Sequence, residues 1–217
     1  MKISKISCAV VALAAGSAVA QTDVTGGQTS VLLDTATLSA AASLDLSGVS
    51  SDVIAPGSLG DGSVAFGINA RDASSLPTTF SYDSSDFLGT FGGTIEHTGS
   101  VFFNAGTVEV GNFTIGFDAA RVGGDRSGFF VESTTGIAAI LFDVGAPSQL
   151  DATDSSLTIG ADLLVSAEFA GFLQQNGLAS SDLTGADVGD ALVQAVPTPG
   201  GLAALGLAGL VAARRRR

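Results

Sequence analysis

An antiparallel all-β domain, either a β-sandwich or a related fold of about a dozen short strands, is the architecture that this 217-residue sequence predicts. Short runs rich in β-branched and aromatic residues recur along residues 21–195, and glycine, asparagine or serine separates them. Many short strands joined by glycine-rich turns are typical of antiparallel all-β folds. No linker or change in composition interrupts residues 21–195, so we predict a single domain there.

The predicted strands share their shortness and their β-branched or aromatic content. The clearest is 112–117, where Phe113, Ile115 and Phe117 alternate with small or polar residues, as expected for a strand with one buried face. The full set is 29–33, 37–46, 64–69, 78–82, 92–97, 100–103, 107–110, 112–117, 127–132, 137–144, 156–159 and 162–165.

One short helix is predicted near residues 167–175. Phe169, Phe172 and Leu173 recur there at helical spacing, and the Asn-Gly pair at 176–177 is a stop signal. The simplest role for this helix is to cover one open end of the β structure.

The first 20 residues have the three parts of a signal peptide. Lys2 and Lys5 precede an apolar run, and Ala18-Val19-Ala20 forms an A-x-A cleavage site before Gln21. The run is too short to span a bilayer, which takes about 20 apolar residues. We therefore predict export by the secretion machinery and cleavage by signal peptidase between Ala20 and Gln21, which also discards the sole cysteine, Cys8.

The last 22 residues form a tail in three parts. A proline motif is followed by two glycines, an apolar run at 202–213 and four arginines; the motif is Val196, Pro197, Thr198, Pro199, and the arginines are Arg214, Arg215, Arg216, Arg217. As a helix, residues 200–213 would cover only about 21 Å of a hydrocarbon core about 30 Å thick. By the positive-inside rule the arginines stay in the cytoplasm. We predict that this apolar helix holds the chain at the inner membrane transiently; a plain single-pass transmembrane anchor is the alternative.

The order of proline motif, apolar helix and arginine cluster at the end of a signal-peptide protein resembles the PEP-CTERM sorting signal, over residues 196–217 only. The resemblance implies a bacterial protein whose tail is recognised by exosortase, a membrane-embedded sorting enzyme. It also implies delivery to the cell surface or to the extracellular polysaccharide matrix. Thr198 stands where that family has the glutamate of its name.

Residues 21–195 are strongly acidic. All 21 aspartates and glutamates of the chain lie there against three arginines, Arg71, Arg121 and Arg126, so the formal charge is −18. Binding to nucleic acid needs clustered lysine and arginine, and we therefore expect no nucleic-acid partner. A dense negative surface keeps a protein soluble and repels other anions.

The scarcity of histidine and cysteine limits the chemistry of this domain. Its single histidine, His97, excludes a multi-histidine zinc site, and the loss of Cys8 excludes a cysteine nucleophile. A serine triad through His97 would lack the usual G-x-S-x-G motif, so we expect His97 to be a surface or turn residue. No catalytic residue is predicted.

Paired carboxylates of a glycoside hydrolase are the remaining enzymatic alternative. The candidates are Glu96, Glu109, Glu132 and Glu168. Nothing in the sequence distinguishes them from solvated strand residues, and a chain with no tryptophan and one tyrosine, Tyr82, is a poor sugar-stacking surface.

Two segments, 83–86 and 151–154, each begin and end with aspartate and have oxygens that suit Ca²⁺. Neither matches a known calcium loop, and aspartate and serine are ordinary turn formers, so we predict turns and no metal or cofactor.

Together these features predict a non-enzymatic protein of the cell surface or extracellular matrix with a structural or adhesive role. A secreted ligand- or carbohydrate-binding module is the alternative, and an extracellular hydrolase comes third.

Overall fold

The structure of the protein is a computed structural model that describes residues 21–199. The predicted signal peptide at 1–20, and the predicted apolar helix and arginine cluster of the tail, lie outside the described residues. Among the described residues, no helix is both long and apolar enough to cross a membrane.

Strands dominate the described chain. The strands are β1 (Thr22–Leu33), β2 (Leu46–Val49), β3 (Val64–Gly67), β4 (Ser81–Tyr82), β5 (Ile95–Glu96), β6 (Ser100–Phe103), β7 (Val108–Phe117), β8 (Arg126–Gly136), β9 (Ala139–Gly145), β10 (Gln149–Ala152), β11 (Leu157–Val165) and β12 (Asp187–Pro199). The α-helices are α1 (Thr35–Ala42), α2 (Phe87–Thr90) and α3 (Ala167–Gln175), and short 3-10 turns lie at Asn104–Gly106 and Ala119–Arg121.

All twelve strands belong to one antiparallel sheet with the main order β2-β6-β7-β8-β9-β11-β12-β1-β3. Outside this path, β10 pairs with β11, β4 with β1 and β5 with β7. An isolated bridge joins Ile68, just after β3, to His97, just after β5, so the two sides of the path meet and the sheet curls onto itself. The predicted antiparallel all-β class is confirmed, in the form of one curled sheet.

The longest ladder of the sheet joins β1 to β12, the two ends of the domain. It runs from Thr22 opposite Pro199 to Leu33 opposite Gly189, with a bulge between Val24 and Gly26. Because β12 extends through Pro199, the sheet continues four residues past the domain end predicted at residue 195. The sequence predicts no strand here, because five of residues 187–195 are alanine, glycine or aspartate, which are depleted in strands.

Residues 37–46 were predicted as a strand, and this prediction is wrong. Most of them belong to α1, because Asp34 caps that helix: its carboxylate accepts hydrogen bonds from the backbone N–H of Thr37 at 3.0 Å and from the Thr37 hydroxyl at 2.6 Å. The segment is rich in alanine, the best helix former. Leu38 and Ala42, one turn apart, are both buried in the core.

The other differences concern boundaries. The predicted strands 107–110 and 112–117 are one strand, β7, and 156–159 and 162–165 are likewise one strand, β11. Strands β2 and β10 were not predicted.

Helix α3 spans the predicted residues and packs as predicted against the β structure. The Ser166 hydroxyl caps its start by accepting a hydrogen bond from the Phe169 N–H at 3.0 Å. Phe169 and Leu173 are buried in the larger of two apolar clusters, with Leu141 and Leu163 from the sheet. The smaller cluster surrounds Phe80 and Tyr82.

At Gly27 the backbones of β1 and β12 approach each other too closely to leave room for a side chain. Its φ is +118°, and a Cβ at this position would lie 2.3 Å from the carbonyl oxygen of Gln194. We predict that Gly27→Ala lowers the free energy of unfolding by about 2–4 kcal/mol, through strain and a clash with a backbone that has no room to move.

Gly26→Ala is the matched control, because a Cβ on Gly26 meets no atom within 4 Å. We expect it to change stability by less than about 1 kcal/mol. Urea unfolding of both variants measures the difference, and equal effects would show that the close approach at Gly27 does not constrain the ladder.

Candidate functional site

The curled sheet encloses an apolar cavity of about 100 Å³. Its lining comes from both apolar clusters, and includes Phe66 and Leu163 from the larger and Phe80 and Ile95 from the smaller. Among the described residues that line it, only Thr29 and His97 have polar side-chain atoms. No pattern in the sequence indicated this cavity, because its walls come from strands far apart in the chain.

His97 lies in the wall of this cavity and is 1% exposed, so the prediction of a surface or turn residue is wrong. The reason is the closure of the sheet: the backbone of His97 bridges Ile68, and its N–H donates to the carbonyl of Phe113 at 2.9 Å. These contacts hold the residue in the wall, where its ring is covered.

Both ring nitrogens of His97 have partners. The Nδ1–H donates to the Phe113 carbonyl at 3.1 Å, and Nε2 accepts from the Thr29 hydroxyl at 2.8 Å, a tautomer assigned from these partners. Burial lowers the pKa of His97 to about 4. The ring is therefore neutral near pH 7 and has no free nitrogen to present to a substrate.

A second polar cluster ties α3 to the sheet through Arg121. Its guanidinium bonds Asp143 through Nε at 2.7 Å and Glu168 through both terminal nitrogens at 2.7 and 2.9 Å. Asp143 is 1% exposed and also faces Arg126 at 3.6 Å. Hydrogen bonding to Arg121 lowers the pKa of Glu168 to about 2, and hydrogen bonding chiefly to Glu168 raises the pKa of Arg121 above its usual value. These charged side chains therefore pair with one another and stabilise the packing of α3 on the sheet.

The four glutamates named as hydrolase candidates do not converge on one site. Glu168 pairs with Arg121, and Glu109 accepts a hydrogen bond from the Ser100 hydroxyl at 2.7 Å. Glu96 and Glu132 do approach each other, because each lies opposite Thr114 on a neighbouring strand.

The Glu96 and Glu132 backbones are thus two strand spacings, or about 10 Å, apart. Glu96 is only 7% exposed, and its carboxylate accepts from the Thr114 hydroxyl at 2.6 Å. The hydrogen bond between Glu96 and Thr114 thus joins β5 to β7 and stabilises the sheet.

The structure brings together the two segments considered for calcium. The carboxylate of Asp154 accepts from the Ser84 hydroxyl at 2.5 Å and from the Thr22 hydroxyl at 3.3 Å. Asp83 accepts from the N–H of Ser85 at 2.9 Å, and Asp86 caps α2. The Asp154 contacts join the two segments to each other and to β1, whereas those of Asp83 and Asp86 are turn and cap contacts. Within residues 21–199 no three or more acidic, histidine or cysteine side chains gather as a metal-binding group.

Tyr82, which directly precedes the first of these segments, is buried and forms a hydrogen bond to the second. It is 0% exposed, and its hydroxyl donates to the Thr153 carbonyl at 2.6 Å. Burial, with smaller effects from Asp154 and Asp151, raises the pKa of Tyr82 to about 12, so the phenol keeps its proton as a structural donor.

Of the residues assigned to export, the structure describes Gln21 and the proline motif. Gln21 directly precedes β1, and its amide donates to the Ser81 hydroxyl at 2.8 Å. The motif lies in β12, where the Val196 carbonyl accepts from the Thr25 hydroxyl at 3.0 Å, Pro197 is buried and Thr198 is exposed. Ala18, Ala20 and Arg214 to Arg217 lie outside the described residues.

No protein-family model and no curated protein matches the chain. Among solved structures, it is similar to the C-terminal domain of HtaA from Corynebacterium glutamicum, with 15% sequence identity, a TM-score of 0.49, and coverage of 81% of this chain and 99% of that chain. No functional residue follows from a likeness this distant.

His97 should make the protein sensitive to mild acid. Its pKa in the folded state, about 4, lies below the unfolded value of about 6.5, so protons bind the unfolded chain preferentially. Stability should therefore fall as the pH falls from about 6.5 towards 4, by about 3 kcal/mol in total.

The stabilising ionisation of Glu168 is lost only below about pH 4.5, its ordinary value, so the window from pH 6.5 to 4.5 isolates His97. Urea unfolding across that window should show the loss in the natural protein and a flatter profile in His97→Gln. An unchanged slope in the variant would contradict the assignment to His97.

Arg121 should matter far more for stability than an exposed arginine. Arg121→Met leaves the buried Asp143 carboxylate with only the longer contact to Arg126, and we expect a loss of about 3–5 kcal/mol. Arg71→Met is the control, because the Arg71 pair with Asp23 is 3.4 Å long and partly exposed; we expect about 1 kcal/mol. Thermal and urea unfolding compare the two variants, and losses of similar size would refute a special weight for the buried cluster.

Proposed function

We propose that this protein is exported to the bacterial cell surface or extracellular matrix, where its β domain has a structural or adhesive and non-enzymatic role. The observation that carries the proposal is the ladder between β1 and β12. Thr22 lies opposite Pro199, so the segment that follows the signal peptide and the segment that enters the tail leave the domain side by side.

This geometry suits a domain held at one membrane by both ends. Directly opposed residues of an antiparallel pair have Cα atoms about 4.5–5.5 Å apart. The signal peptide and the apolar tail therefore attach to the same edge of the domain. A single inner membrane accommodates both segments at once, with the acidic domain beyond it.

The same ladder controls access to the proline motif. In the folded domain Val196 and Pro197 are paired with β1, and Pro197 is buried. An exosortase-like enzyme that reads this motif needs an open chain, so either recognition precedes closure of the ladder or residues 196–199 detach from β1. Thr198, at the position of the family's glutamate, is exposed opposite Asp23.

The non-enzymatic role is supported by the hydrogen bonds that polar side chains make within the fold. His97, Arg121 and Glu96 are each hydrogen-bonded within the fold. The surface outside is acidic, with a formal charge of −18 over residues 21–195. A soluble, anion-repelling scaffold follows from that charge, and neutral extracellular polysaccharide is a suitable partner for it.

A ligand-binding module is the second candidate, and the cavity favours it. The apolar walls do not suit a sugar, whose hydroxyls would be buried without partners. A carbohydrate ligand would have to bind the outer face of the sheet, which a glycan array tests directly.

Intact mass of the protein in the membrane, surface and medium fractions of its host tests the sorting route. We expect loss of residues 1–20 and of the arginine tail in the surface or medium fraction.

The double variant Asp23→Cys, Thr198→Cys should form a disulfide across directly opposed positions outside the cytoplasm. It should lose the signal peptide normally but retain its tail in the inner membrane, because the motif cannot open.

Asp23→Ser, Thr198→Ser is the matched control and should be processed like the natural protein. Tail loss from the double variant at the normal rate would show that the motif is read before the ladder closes, or without opening. A natural protein that keeps its tail in the inner membrane would refute sorting and leave a membrane-tethered domain.

A further inference from the structure

We infer that the cavity inside the curled sheet is a binding site for a small, uncharged, apolar molecule with a hydrocarbon ring or short chain, which enters past a cluster of partly exposed aromatic side chains. This inference goes beyond the sorting and surface role, and it does not depend on how the protein is sorted.

The chemistry of the walls selects an apolar ligand. The two polar side chains of the lining, Thr29 and His97, are hydrogen-bonded to each other at 2.8 Å, and the second nitrogen of His97 bonds the Phe113 carbonyl. Within the described residues, no buried side-chain polar atom lacks a partner. A ligand hydroxyl or carboxylate inside the cavity would therefore find no free partner, at a cost of several kcal/mol.

The size of the cavity sets an upper bound on the ligand. An engineered apolar cavity of about 150 Å³ stays free of water and admits benzene or xenon. At about 100 Å³, this cavity suits one ring or a short aliphatic segment and excludes a fused-ring molecule, unless the walls move apart.

One side of the lining reaches the surface. Phe129 lines the cavity and is half-buried, and its ring packs against Phe91 and Phe117 with centroids 5.0 and 5.3 Å away. We name Phe91, Phe117 and Phe129 the aromatic rim. Phe117 is 40% exposed and Val122 is 55% exposed.

Pro147, which also lines the cavity, is exposed. Cavity and solvent are thus separated by apolar side chains that an apolar ligand can displace by rotation.

The charge of the domain selects against fatty acids and other anions. Residues 21–195 carry −18, and their three arginines are all paired with carboxylates: Arg121 and Arg126 with Asp143, and Arg71 with Asp23. An anionic head group at the rim would meet repulsion and no free cation. The ligand is therefore neutral.

Methyl NMR of the purified full chain, titrated with benzene, tests the site. We expect saturable shifts of the Leu141 and Leu163 methyl signals, with a dissociation constant on the order of 1 mM. Benzoate has the same ring with a carboxylate, and should not shift these signals at the same concentration.

A cavity-filling variant locates the binding. Ala161 lies in the wall, and Ala161→Leu should weaken benzene binding by about tenfold or more. The matched control is Thr158→Leu, on the same strand but with its side chain on the opposite face, because the lining residues Ile159, Ala161 and Leu163 alternate with it. It should bind benzene as the natural protein does.

The inference is overturned if benzene leaves the methyl signals unchanged, if benzoate binds as tightly as benzene, or if Ala161→Leu binds benzene normally. Should Ala161→Leu fail to fold, crystals of the natural protein under xenon pressure decide. Xenon density inside the sheet supports the site, and its absence there refutes it.

Discussion

The pairing of the first strand with the last is the interaction on which the rest of this structure depends. β1 also pairs with β3 and β4, and β12 also pairs with β11. The ladder between β1 and β12 therefore joins two sets of strands into one sheet. Its partners are separated by most of the chain, and forming such non-local contacts costs loop-closure entropy before any contact stabilises them. The sheet therefore cannot close until the C-terminal strand is available. If the chain is exported as proposed, the sheet closes after nearly all of the chain has crossed the membrane.

Closure of the sheet dictates which polar groups must be paired. Once the walls meet, a side chain that faces inward has no access to water, and burying it unpaired would cost about 1–3 kcal/mol or more. Thr29 and His97 satisfy each other, and Asp143 is satisfied by Arg121. Two of the domain's three arginines thus pair with a buried carboxylate, and most of the acidity of the outer surface is left uncompensated.

Local signals in the sequence predicted helix α3 but not helix α1. Helix α3 was predicted with its boundaries because its apolar spacing and its Asn-Gly stop lie within a dozen residues. Helix α1 was mistaken for a strand because its threonines resemble those of a strand, while the deciding contact is the cap from Asp34. Strand β12 has small residues and little hydrophobic alternation, and it is a strand because β1 and β11 pair with it on both sides.

The all-β class, the acidity of the domain and the kinds of site that a single histidine excludes can all be predicted from the sequence, because they depend on composition and on patterns within a few residues. An export signal and a sorting tail are also predicted from contiguous motifs, and both stay predictions. Four features became visible only in the folded chain: the sheet closes, His97 lies in an apolar wall, Arg121 joins α3 to Asp143, and the proline motif pairs with β1. Each of these depends on contacts between residues distant in the chain, and no local pattern specifies which distant residues will meet.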